Sequence, residues 1–80
     1  MDEKIAVIAI IVSDYNNVEK VNLLLHEYRA NIIGRMGLPI KERGISVISV
    51  VIQALPETIN SLSGKLGMIK GVSSKVLTTK

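Results

Sequence analysis

Hydrophobic and polar positions change their period several times along this chain. Lys4 to Ser13 reads Lys-Ile-Ala-Val-Ile-Ala-Ile-Ile-Val-Ser, an apolar run rich in β-branched side chains. It is too short for a helix with a polar face, so it predicts a strand with two apolar faces. Asp14-Tyr-Asn-Asn17 supplies turn chemistry, and Asn16 followed at helical distance by Glu19 predicts a capping box. Val18, Val21, Leu25 and Tyr28 then fall at helical spacing and Leu24 widens the stripe, which predicts a helix from about Asn17 to Tyr28 lying on a sheet. From Asn31 the period becomes two. Ile32, Gly34, Met36, Leu38 and Ile40 share one face while Asn31, Arg35, Gly37 and Lys41 share the other, a second strand loosened by glycines. Lys41-Glu-Arg-Gly44 is a polar turn into the β-branched run Ile45 to Ala54, so strands two and three form a hairpin. Pro56 suits the first position of a second helix, Glu57 complements its dipole, and Ile59, Leu62 and Leu66 make its buried stripe. Gly67 is the expected stop signal and Gly64 is expected to allow close backbone approach, while Gly71 to Thr79 reads as a last strand.

The order βαββαβ predicts an α+β, ferredoxin-like fold: a four-stranded antiparallel sheet with both helices on one face, as a single domain over residues 1–80. The strand patterns also predict assembly. Strand one alternates Ile5, Val7, Ala9, Ile11 with Ala6, Ile8, Ile10, Val12, and strand three alternates Ile45, Val47, Ser49, Val51 with Ser46, Ile48, Val50, Ile52. Two helices cover one of these faces only. A sheet surface left to water is normally polar at alternate residues, so the second apolar face predicts a homo-oligomer, a dimer or a tetramer.

Composition narrows what such a domain does. With 80 residues, 48% of them hydrophobic, and a mean hydropathy of +0.37, the chain is too apolar for a disordered tail. A domain this short buries only about 60% of its unfolded surface and gains from extra ties. Cys 0 removes disulfides and thiolate chemistry, and His 1 removes paired-histidine metal motifs. Oligomerisation remains. The net charge of +3 comes from dispersed side chains such as Lys65, Lys70, Lys75 and Lys80, and only Tyr15 and Tyr28 are aromatic. A basic stripe with stacking aromatics is therefore missing, and no direct nucleic-acid binding is expected. The longest apolar run, Ile5 to Val12, is about half of the roughly 20 residues a spanning helix needs and follows acidic Asp2 and Glu3. No membrane association is expected, and the cytoplasm is the expected location.

Catalytic motifs do not emerge. Ser63-Gly64-Lys65 lacks the remaining glycine and hydroxyl positions of a phosphate loop, since Ile59 and Leu66 stand there. His26 lies beside the apolar stripe of the first helix and is expected at the surface. Ser13, Ser61 and Ser63 sit in no nucleophile elbow. The reading is a protein that is not an enzyme, with no metal site and no cofactor. Arg35 opposes Met36 and Leu38 on its strand and is expected to face the subunit contact, where a guanidinium would hold an anion or snorkel to water.

At Arg35-Met-Gly-Leu-Pro39 and Leu62-Ser-Gly-Lys-Leu-Gly-Met-Ile-Lys-Gly-Val72 the chain resembles the small stand-alone iron-only hydrogenase system regulators. The likeness runs from about Ile5 to Val76. The fold of that family is similar to ACT domains and to the C-terminal domain of nickel-responsive repressors. What the resemblance implies is a self-associating ACT-like domain acting in regulation or ligand sensing. Nickel sensing does not carry over, because the relatives use several histidines and a cysteine where this chain has His26 alone. Amino-acid-binding ACT domains use a glycine-containing turn after the first strand, whereas this turn is Ser13-Asp-Tyr-Asn-Asn17. The expected function is a non-catalytic regulatory domain that self-associates through its sheet and binds a small ligand at the subunit interface. Asp14 and Asn16 in the first strand-helix turn would hydrogen-bond an amine and a carboxylate, and Arg35 would neutralise an anion. The alternative is a protein-protein interaction module without a small-molecule ligand.

Overall fold

A computed structural model describes residues 2–79. Met1 and Lys80, which close the 1–80 domain read from the sequence, lie outside the described residues. The elements are β1 (Lys4–Val12), α1 (Val18–Glu27), β2 (Ile32–Ile40), β3 (Ile45–Ala54), α2 (Pro56–Gly67) and β4 (Val72–Thr78). The strands form one antiparallel sheet in the order β2-β3-β1-β4, the ferredoxin-like arrangement expected.

Period-two alternation divides the sheet into two faces. Ala6, Ile8, Ile10 and Val12 of β1 and Ile48, Val50, Ile52 and Ala54 of β3 are buried with Val21 and Leu25 of α1 and Ile59, Leu62 and Leu66 of α2. Both helices therefore lay their apolar stripes on the same side, and removing these side chains from water drives the collapse. Pro56 occupies the first turn of α2, where its missing N–H costs no hydrogen bond.

Several local expectations change. The Asn16–Glu19 capping box does not form. Tyr15–Asn17 make a short 3-10 turn, so α1 starts one residue later than such a box requires; instead Asp14 Oδ1 accepts from the Asn16 backbone N–H at 3.1 Å. Helix α2 does end at Gly67, but the capping residue is the right-handed Met68, and the positive-φ glycine of this connection is Gly71, at φ 80°. Gly64 allows no close approach, because a Cβ built there would meet nothing within 4 Å.

The largest correction concerns β2. Ile32 pairs with Ile52, but Gly34 pairs with Val51, so Ile33 is the extra residue of a β-bulge. The bulge advances the strand by one residue and exchanges its faces. Ile32 stays with the core, while Gly34, Met36, Leu38 and Ile40 pair with the outward-facing Val51, Ser49, Val47 and Ile45. Arg35, Gly37 and Pro39 pair with the inward-facing Val50, Ile48 and Ser46. Arg35 thus lies on the helix side of the sheet, not on the face expected to form a subunit contact.

Candidate functional site

Two surfaces arise from this geometry. The first is the open face of the sheet. Strand pairing aligns its side chains in rows running from β2 to β4: Gly34, Val51, Val7 and Leu77; then Met36, Ser49, Ala9 and Lys75; then Leu38, Val47, Ile11 and Ser73. Small side chains occupy the middle of the central row, between two rows of larger aliphatic ones. Met36 is 65% exposed and Leu77 75%. No described helix covers this face.

The second surface is a groove between α1 and the β2 flank of the sheet. Its walls are Tyr15, Val18, Asn22, Pro39 and Ile48, its volume is about 200 Å³, and Arg35 and Ser46 line it with Gly37. The Arg35 guanidinium donates from Nη2 to Oδ1 of Asn22 at 2.5 Å. Asn22 is neutral, and none of the described lining residues is a carboxylate, so the positive charge meets no negative one inside the groove. A Cβ on Gly37 would meet nothing within 4 Å, which makes this glycine the open stretch of the groove wall.

Ser46 supplies a polar group where the strand pattern calls for an apolar one. It stands on the inward face with Ile48, Val50 and Ile52, and only 5% of it is exposed. Its hydroxyl takes no part in the side-chain hydrogen bonds among the described residues. No fully enclosed side-chain nitrogen or oxygen of the described residues lacks a partner. The free Ser46 hydroxyl therefore opens into the groove that it lines.

The three residues singled out from the sequence fall in two places. Asp14 and Asn16 meet in the turn after β1, where the Asp14 carboxylate caps the chain and its side chain packs toward Gly71. Arg35 lines the groove beside Tyr15, the residue between those two, and neither Asp14 nor Asn16 lines it. Asn22, Gly37 and Ser46 join Arg35 there. A lone serine on the apolar side of β3 was the available signal for the last of these. His26 is exposed on α1. Among the described residues no cluster of three His, Asp or Glu side chains is placed to hold a metal ion, and no helix is long and apolar enough to cross a membrane.

Comparison with known proteins agrees with this architecture. Residues 4–76 match the TM1266-like family, described as "Iron-only hydrogenase system regulator, putative". The structure of uncharacterized protein TM1266 from Thermotoga maritima superposes with a TM-score of 0.92 at 35% sequence identity, covering 99% of this chain and 100% of that one. The de novo designed protein Foldit4 shares the fold alone, with a TM-score of 0.61 at 21% identity over 99% of this chain and 98% of its own. No curated protein matches the chain.

Proposed function

We propose, for a chain that belongs to the TM1266-like family of iron-only hydrogenase system regulators, a non-catalytic regulatory role in the cytoplasm, carried out by a domain that self-associates through the open face of its sheet and responds to a small ligand. The observation that carries this reading is the open face itself. Ile5, Val7, Ile11, Met36, Leu38 and Leu77 are all exposed large aliphatic side chains on one surface. Four strands at about 4.8 Å spacing and about eight residues at about 3.3 Å rise make a face of roughly 500 Å². Two such faces together reach roughly the 1,000 Å² at which specific interfaces begin.

A second copy suits this surface better than water does. Faces rather than edges recruit the partner, because the edges resist added strands. β2 carries the bulge together with Pro39, and β4 bears Lys75.

Sedimentation equilibrium of the purified chain tests the proposal. A concentration-dependent dimer or tetramer is expected, reduced to a folded monomer by Leu38→Lys or Val7→Lys. A monomer at all accessible concentrations would overturn it. A monomer that assembles only with another protein would move the reading to an interaction module.

A further inference from the structure

The groove on the β2 flank has the features of a built anion site. We infer that it binds a small monocarboxylate with an apolar body, the carboxylate taken by Arg35 and the body lodged against Tyr15 and Ile48 over Gly37. This rests on the regulatory reading above and supplies its ligand class, but every group involved comes from one chain.

Three observations point the same way. Arg35 bonds to a neutral amide and faces no carboxylate in the groove, so part of its donor fork remains for a ligand oxygen. The Ser46 hydroxyl, on a residue 95% buried by its 5% exposure, has no bond among the described residues and opens into the same space. Such a group in an apolar setting gains from a ligand oxygen that replaces loosely held water. Gly37 has no steric need to be glycine: its Cβ would touch nothing, and φ is not positive there. A larger side chain there would project into the groove that Gly37 lines.

Charge and size define the ligand. The Arg35 guanidinium beside the Asn22 amide matches a planar monoanion, while Ser46, paired with Pro39 four residues along β2 from Arg35, is a polar group farther along the groove. A phosphate dianion is better served by several cations. The remaining walls, Val18, Pro39, Ile48 and the Tyr15 ring, favour an aliphatic or aromatic body. The groove, about 200 Å³ and open to solvent, accommodates a short branched chain or one ring.

Backbone and arginine side-chain NMR titration tests this, with 3-methylbutanoate and phenylacetate as probes, and phenylacetamide and inorganic phosphate as controls. Both carboxylates are expected to give saturable shifts at Gly37, Ser46 and the Arg35 Nε–H. Phenylacetamide should bind at least about tenfold more weakly, since the charge-assisted bonds are gone. Arg35→Gln should weaken phenylacetate by about tenfold or more, and Gly37→Leu should abolish its shifts while the spectrum stays that of a folded protein. The titration is repeated on the Leu38→Lys variant, whose groove is intact. Binding by that variant keeps the groove proposal independent of self-association. The absence of saturable shifts with both carboxylates overturns the proposal even where sedimentation shows an oligomer, as does equal binding of phenylacetamide or an unchanged affinity in Arg35→Gln. Tighter binding of phosphate than of either carboxylate overturns the ligand class.

Discussion

The two flanks of the sheet treat the helix layer in opposite ways. Beside β4 the chain is tied down. The Ser13 backbone N–H and hydroxyl both donate to the Gly71 carbonyl, at 2.7 and 2.9 Å, and the Asn17 side chain donates to the Lys70 carbonyl. Beside β2 a groove lies between helix and sheet, and Arg35 and Asn22 bond across it. Each flank contains a glycine. At Gly71 a Cβ would come within 2.9 Å of Asp14 Cβ, and at Gly37 it would touch nothing. The same residue type records close packing on one side and an open space on the other, so a glycine's meaning comes from its surroundings and not from its letter.

Substitutions on the two flanks test that contrast. The largest effect is expected at Gly71, where a side chain meets both the clash with Asp14 and a φ of 80°. Gly71→Ala should destabilise by about 2 kcal/mol, read as a lower midpoint in urea at unchanged slope. Asn17→Ala comes next, losing the bond that ties α1 to the Lys70 carbonyl; a loss of about 1 kcal/mol is expected in the same measurement. On the open flank Ser46→Ala removes an unbonded hydroxyl from a buried position and should leave stability within about 0.5 kcal/mol of the parent. Gly37→Ala should likewise stay within about 0.5 kcal/mol or gain slightly, because the chain loses backbone freedom only when unfolded. If Gly37→Ala costs as much as Gly71→Ala, the two flanks do not differ as described.

The smallest expected effect lies between the helices. Tyr28 of the α1 terminus shares a hydrogen bond of 3.1 Å with Ser61 of α2, and Lys65 Nζ stands 5.3 Å from the centre of the Tyr28 ring. Lys65 is held above its ordinary value of 10.5, chiefly by hydrogen bonding to Tyr28, with the Tyr28 and Glu27 charges adding to it. A folded-state value above the unfolded one means that the contribution is fully present below the unfolded value and is lost as pH rises through the folded one. A slight fall in Tm should therefore appear above about pH 10. Tyr28→Phe should flatten it, measured as Tm against pH.

The residues that were legible in advance share one property: their environment follows from periodicity alone. The helical stripe Val21 and Leu25, the stripe Ile59, Leu62 and Leu66, and the β-branched alternation of β1 and β3 each specify an element and its buried side. Hydrophobic burial acts through such periods, so the βαββαβ order and the two-faced sheet could be read from the chain. Family membership was readable too, from the paired motifs beginning at Arg35 and Leu62 and from the match over residues 4–76.

Tertiary structure decided what period-two reading cannot contain. One extra residue at Ile33 turns Met36 and Leu38 outward and Arg35 inward, and nothing in the local pattern of β2 marks it, because the bulge exists only against β3. The groove needed three segments distant in the sequence, with Asn22 from α1, Arg35 and Gly37 from β2 and Ser46 from β3. Gly71, more than fifty residues from Asp14 in the sequence, is brought beside it by the Ser13 to Gly71 bonds, a neighbour that no local pattern announces. Periodicity is a property of neighbours in the chain; bulges, grooves and clashes are properties of neighbours in space.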